Sequence, residues 1–223
     1  MLIPRYYFSD DYNQFHDYFL SCPHALRSFK KNDYLWTPGE PLTHVYYVEH
    51  GIAETLVEHE DGYRKILSFH GKGTVFPGCH QLVFKIENSI ITKALSDMEV
   101  LSFSKDEFYQ MFLDNKDLSA QVLDWYAMYI NLLIYETAHQ EYNNSFIKLC
   151  NLLYLFSLNS PGGKRINLTQ ENIADILTIN RVNAAKSLSR LRDEKIIVTH
   201  RRWIEIINQE ALEAYCSKET LLS

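Results

Sequence analysis

Between Arg165 and Arg202 the sequence carries eight basic residues, Arg165, Arg181, Lys186, Arg190, Arg192, Lys195, Arg201 and Arg202. Only four acidic ones, Glu171, Asp175, Asp193 and Glu194, offset them. The whole chain of 223 residues has a formal net charge of -6, so this stretch is a positive island on an acidic protein. Phosphate contacts would explain such an island, because clustered guanidinium and ammonium groups neutralise a polyanion. Bond-making chemistry is not signalled. Gly71, Gly73 and Gly78 do not fit the G-x-G-x-x-G fingerprint, and no Ser-His-Asp set or metal-ligand helix declares itself. No catalytic residue is assigned. The four cysteines, Cys22, Cys79, Cys150 and Cys216, lie far apart without a C-x-x-C pair, so neither structural zinc nor an iron-sulfur cluster is expected. The adjacent pair Cys79-His80 is weak evidence for a redox or metal site.

The elements that must position the cations can be read from the same stretch. Thr169 can cap a short helix over Gln170–Leu177, in which Ile173, Ile176 and Leu177 recur at helical spacing. After the three-residue break Thr178-Ile179-Asn180, Asn180 can cap a second helix from Arg181 to about Glu194. On that helix Ala184, Leu188 and Leu191 fall on one side and pack, whereas Arg181, Val182, Lys186 and Ser189 face outward. Ala174 is small enough to let the two helices approach. Ile196-Ile197-Val198-Thr199 and Trp203-Ile204-Glu205-Ile206-Ile207 read as strands joined by the basic turn His200-Arg201-Arg202. The sum is a winged helix-turn-helix, a frame whose second helix can enter a DNA major groove. A lone helical hairpin would also show an outward Arg and Lys; the wing and the charge favour the DNA reading.

With 46% apolar residues the chain can build one large domain or two modest ones. Ser9 is expected to cap a first helix with the stripe Tyr12, Phe15, Phe19 and Leu20. From Phe29 onward, short β-rich runs such as Tyr34-Leu35-Trp36, Val45–Val48 and Ile66–Phe69 alternate with glycine turns, which indicates an all-β roll, barrel or sandwich. Glu58–Gly62 reads as a hairpin loop. After Met98–Phe103, Ser104 and Glu107 form a capping box that starts a helix. The longest helical pattern runs from about Lys116 to Glu141, with a stripe of Leu118, Val122, Trp125, Tyr129 and Leu132, and Leu133 beside it. That stripe is wider than one small β domain needs and suggests pairing with a second copy, the alternative over so few turns being simple packing against its own roll. Asn143–Leu158 is a further apolar helix, followed by the loop Asn159-Ser160-Pro161-Gly162-Gly163. The fold class is therefore α+β: a β-roll over 1–114, a dimerisation helix over 115–141 and a winged helix-turn-helix over 142–223. Met1–Arg5 lacks an extended apolar run and the other apolar segments are interrupted by charge, so a cytoplasmic protein with no membrane partner is expected.

In this order of parts, Pro38-Gly39-Glu40, Tyr46-Tyr47-Val48-Glu49-His50-Gly51, Asp61-Gly62-Tyr63-Arg64-Lys65-Ile66-Leu67 and the Leu168–Ile197 motif carry a resemblance. The chain resembles the CRP/FNR regulators, typified by the catabolite activator protein and the fumarate and nitrate reduction regulator, along nearly its full length. The resemblance implies a cyclic-nucleotide-binding-like jelly roll that senses a signal, and a homodimer whose paired recognition helices read a two-fold symmetric promoter site. It implies base contacts from Arg181, Val182 and Lys186. Arg181 keeps the family's arginine, which can donate two hydrogen bonds to guanine O6 and N7; Lys186 reaches guanine more loosely. Val182 departs from a glutamate and suits a thymine methyl. Thr178, in place of a turn glycine, and Ser187, in place of an apolar residue, depart more mildly. Thr169, Gln170, Asn183, His200 and Arg201 are placed for phosphate contacts.

In cyclic-nucleotide members a Gly-Glu turn and a later Arg-Ser pair hold the ribose and the cyclic phosphate. Here Gly73–Cys79 and Asn88-Ser89-Ile90 supply neither the carboxylate nor the arginine. A buried phosphate without a cation is heavily penalised, so cyclic AMP is not expected. An iron-sulfur cluster is not expected because only Cys22 precedes the roll, and no spacing singles out a haem ligand among nine histidines. No cofactor is assigned. An effector pocket lined by Phe76, Phe84, Lys85, Trp125, Tyr126 and Tyr129 would suit a small organic anion or phenolic compound, with Lys93 nearby. Those aromatics also serve as plain core. The expected partners are double-stranded DNA, a second copy, RNA polymerase and that effector; the alternative is a regulator-like scaffold that signals through protein contacts without specific DNA binding.

Overall fold

The computed structural model describes residues 2–36, 39–80, 82–159 and 161–222, so Pro38 and Ser160 of the motifs above lie outside the described residues. Two compact units are present, one of residues 7–127 and one of residues 1–6 with 128–223.

The first unit is the β-roll. Strands β1 (Tyr7–Phe8), β2 (Ala25–Phe29), β3 (His44–His50), β4 (Ala53–Glu58), β5 (Arg64–His70), β6 (Val75–Phe76), β7 (Ile90–Ala94) and β8 (Met98–Ser104) form two four-stranded sheets, ordered β1-β5-β4-β7 and β2-β8-β3-β6. Successive side chains of a strand point to opposite faces, and β3, β4 and β8 are buried at consecutive positions, so both faces of these central strands are covered. Leu56, Ile66, Val48, Val100 and Phe103 meet inside with at most 1% exposure. The hairpin at 59–63 joins β4 to β5 and closes through His59 N–H to the Tyr63 carbonyl, with Gly62 at φ 80°. Helix α1 (His16–Ser21) is shorter than the sequence suggested. Ser9 caps nothing there: a 3-10 turn over Asn13–Phe15 leads directly into α1. Tyr12, Phe15 and Phe19 are buried, but Leu20 is 46% exposed. The expected strand at Tyr34–Trp36 is reduced to one isolated bridge from Tyr34 to Lys93. Helix α2 (Lys105–Asp114) starts at the expected capping box, in which Ser104 Oγ accepts from Glu107 N–H and the Glu107 carboxylate accepts from Ser104 N–H.

Helix α3 (Lys116–Tyr142) has the expected length, but its faces are used differently. The stripe read as a pairing seam, Leu118, Val122, Trp125 and Leu132, is buried within the chain itself, with Tyr129 half-buried. A second stripe stays in the open: Leu123, Ile130 and Ile134 are 63%, 53% and 65% exposed, and Ala120 and Ala127 lie in the same alternation of three and four residues. That spacing is the a/d pattern of a two-helix seam.

The second unit holds α4 (Ser145–Asn159), β9 (Arg165–Ile166), α5 (Gln170–Leu177), α6 (Arg181–Asp193), β10 (Ile197–Thr199), β11 (Ile204–Ile206) and α7 (Gln209–Glu213). Its three-stranded sheet runs β10-β11-β9, so the wing has one strand more than the sequence showed. Asn144 Oδ1 accepts from Phe146 and Ile147 N–H to cap α4, whose interior residues Leu149, Cys150, Asn151, Leu152 and Leu153 are fully buried.

Candidate nucleic-acid interface

Local chemistry fixes both helices of the motif. Thr169 Oγ1 accepts from Asn172 N–H at 3.1 Å while Asn172 Oδ1 accepts from Thr169 N–H at 3.0 Å, a reciprocal cap on α5. Asn180 Oδ1 accepts from Asn183 N–H at 2.7 Å and starts α6. Between them Thr178 ends α5 in the left-handed region at φ 51°, where a side-chain-bearing residue is disfavoured. Ala184, Leu188 and Leu191 are fully buried, and Ala174 is 5% exposed in the crossing of α5 and α6. Ser187, 7% exposed, also points inward.

With that face committed to packing, the cations divide by environment. Arg181, Val182 and Lys186 are exposed on α6, Val182 at 62%. Arg181 Nη2 donates to Glu171 Oε1, so α5 holds the guanidinium across the turn. Arg190 instead serves the fold: its guanidinium lies 4.0 Å from the Phe146 ring centroid and 5.0 Å from that of Tyr215, and Nε donates to Glu194 at 2.9 Å. Arg192 donates to Thr199 Oγ1 at 3.2 Å and ties α6 to the wing. Two of the eight basic residues are thus structural.

Thr169 and Gln170 lie exposed at the start of α5, and Asn183 is half-buried in the first turn of α6. His200 and Arg201 sit in the wing turn, which closes through His200 N–H to the Trp203 carbonyl at 2.8 Å. The sequence did not reveal what stands beside them. Arg165 on β9 pairs in register with Glu205 on β11, and its guanidinium lies 4.3 Å from the Trp203 ring centroid. The His200 ring stacks on the same indole at 3.5 Å. Arg165, Asn167, Arg201, Arg202 and Trp203 line an open recess of about 630 Å³, with three guanidinium groups and no carboxylate in its lining. Such a concavity suits a sugar-phosphate backbone. The missed signal was β9, only two residues long.

A buried polar network joins α3 to the helix-turn-helix inside the second unit. Lys148 Nζ donates to the Gln140 carbonyl at 3.0 Å and to Gln140 Oε1 at 2.7 Å, and Gln140 Nε2 donates to the Leu177 carbonyl at 3.1 Å. One side chain therefore reaches from the end of α3 to the end of α5.

The aromatics expected to line an effector pocket are found in different settings. Phe76 and Trp125 are core residues of the roll, both near His70, with ring centroids at 4.5 and 6.3 Å. Complete burial holds His70 neutral, lowering it to about 3. Phe84 and Lys85 are exposed, and Phe84 contacts His80 at 5.2 Å. Tyr126 is half-buried; burial, with Cys79 beside it, pushes its hydroxyl up to about 12. His80 bridges Glu87 Oε1 at 2.6 Å and the Tyr126 hydroxyl at 3.4 Å, so it gathers Phe84 and Tyr126. A Cβ on Gly78 would overlap the Tyr126 hydroxyl, so any other residue there would displace the Tyr126 ring from its place beside His80. Tyr129 belongs to the other unit.

Comparison with known proteins follows the same division. Residues 26–115 match the family model of the cyclic nucleotide-binding domain, and residues 147–215 match that of the Crp-like helix-turn-helix domain. Over 199 residues the chain is 24% identical to the cAMP-activated global transcriptional regulator CRP of Pasteurella multocida, covering 85% of this chain and 93% of that protein. FixK2 from Bradyrhizobium japonicum shares the fold with a TM-score of 0.74 at 18% identity, over 87% of this chain and 98% of its own. OCPA-complexed CprK does so with a TM-score of 0.72 at 20% identity, over 90% and 92% of the two chains.

Proposed function

Because the chain belongs to the CRP/FNR family of DNA-binding transcription regulators, we propose that it acts as a homodimer whose two α6 helices read the halves of a palindromic promoter site. The observation that carries this reading is the outward face of α6, with Arg181, Val182 and Lys186 in solvent beside a wing lined by three arginines. Arg181 leaves Glu171 for a guanine edge, Lys186 adds a second donor, and Val182 meets a thymine methyl. Thr169, Gln170, Asn183, His200 and Arg201 set the register on phosphates, with Arg165 and Arg202 extending that contact. The exposed stripe Leu123, Ala127, Ile130 and Ile134 pairs two α3 helices. Contact with RNA polymerase would follow from the position of the bound dimer at a promoter.

The roll takes a small organic anion as its signal. Between Gly73 and Thr92 the chain offers Lys85 and no arginine, so the forked donor that would hold a cyclic phosphate is missing there. CprK, which shares this fold, is known in complex with o-chlorophenolacetic acid, an acid of that class. Occupancy shifts the pair between helix arrangements that do and do not fit successive major grooves. No helix among the described residues is long and apolar enough to cross a membrane.

Gel shift of the purified protein on the DNA upstream of its own gene tests the reading. The expected result is a discrete complex that resists scrambled competitor and weakens steeply with salt. Absent or salt-insensitive binding, with and without candidate acids, would favour the scaffold alternative.

A further inference from the structure

The residues on either side of the second unit converge on α3. Tyr6, 2% exposed, donates from its hydroxyl to Glu136, itself 8% exposed. Thr220, fully buried, bonds Tyr135 through Oγ1 at 3.0 Å. Adjacent residues of one helix thus pin two segments that are far apart in sequence. Between them lies a mainly apolar socket of about 360 Å³, lined by Leu2, Pro4, Ile134, Ala138, Leu221 and Leu222, with Asn131 and Glu219 as its polar members. Leu2 and Leu222 in its lining are 79% and 58% exposed, and Ile134, also in the lining, belongs to the exposed stripe of α3. The socket is therefore continuous with the seam.

Helix geometry says what reaches it. At about 100° per residue, Asn131 and Ala138 lie on one flank of the Ile130–Ile134 line and Leu133 lies on the other. Leu133 is 42% exposed. In a parallel two-fold pair, one flank of each helix faces the opposite flank of the other. We propose that the socket receives Leu133 of a second copy, so that residues 2–4 and 219–222 are assembly elements and each subunit completes the other's interface twice. The proposal rests on the dimer reading and deepens it: the helix seam supplies register, and the sockets lock it.

Sedimentation equilibrium of the full chain tests this. Leu2→Asp with Leu222→Asp, and separately Leu133→Asp, are expected to weaken the dimer about 10- to 100-fold, because the contact is made twice and each copy covers the 42% of Leu133 left exposed in the single chain. Circular dichroism should be unchanged, because all three residues are solvent-exposed in the single chain. In a cycle with Leu133→Ala and Leu222→Ala, the double variant should lose less than the sum of the singles, since the two touch only across the interface. Full additivity, or an unchanged dimer in the Leu2 and Leu222 variants, would overturn the socket while leaving the seam intact. A wild-type chain that is monomeric at all concentrations would instead overturn the dimer itself.

Discussion

Arg181 is held by Glu171 across the turn of the motif, and if α6 reads DNA as proposed, this pair must open first. Both side chains are largely exposed, so the pair itself contributes little stability, on the order of 0–1 kcal/mol. Its effect is on selectivity: a guanidinium already partnered must exchange a carboxylate for a base or a phosphate, and a guanine edge offers two acceptors where a phosphate contact offers no sequence discrimination. Glu171→Gln should therefore leave the melting temperature unchanged yet raise affinity for scrambled DNA several-fold, narrowing the specificity ratio; titrations on matched and scrambled duplexes would show it. Arg181→Ala should cost about 1–3 kcal/mol at one base position, whereas Arg201→Ala should weaken every sequence alike. Equal losses on all sequences for Arg181→Ala would contradict its assignment. The capping residues Thr169 and Asn180 and the outward set on α6 were legible because each follows from local chemistry. The fates of Arg190 and Arg192 were not, because Phe146, Tyr215 and Thr199 reach them only through the fold.

At the scale of elements, the two helices of the motif meet at a residue poorly suited to its backbone. Thr178 occupies the left-handed region that glycine adopts freely, and a β-branched side chain there costs on the order of 1 kcal/mol. Thr178→Gly should raise stability by about that amount, read from urea unfolding, without loss of DNA binding. Strand β5 carries a second testable feature. His70 is neutral and buried, so between about 6.5 and about 3 the unfolded chain binds a proton that the folded chain does not. Stability should fall as pH falls through that window, by up to ~1.4 kcal/mol per pH unit from this group. His70→Asn should flatten that part of the profile relative to the wild type. The strands Val45–Val48 and Ile66–Phe69 and the Ser104–Glu107 capping box were readable from short β-rich runs, turn residues and local cap chemistry, whereas the Ser9 cap and the Tyr34–Trp36 strand were not realised. Strands β1 and β9 are too short for any period to register, and α3 carries apolar residues on more than one face, so periodicity announced a helix without saying which face meets the chain and which meets solvent. Only the packing separates Leu118, Val122 and Trp125 from Leu123, Ile130 and Ile134.

For the whole molecule, the account requires two copies on one duplex. Ile130→Glu with Ile134→Glu should give a folded monomer, because like charges facing across the seam repel, and that monomer should lose affinity for a full site far more than for a half-site. Size-exclusion chromatography and duplex titration would read both. The order of roll, long helix and winged motif was visible in the sequence, whereas the recess at Arg165 and Trp203 depended on strands that pair across a gap in the chain. The most direct test is selection from a random duplex pool by the wild-type protein. The expected result is a two-fold symmetric consensus with half-site centres about 34 Å apart and a base position that loses its preference in Arg181→Ala. An unenriched pool, or a consensus unchanged by Arg181→Ala, would contradict it.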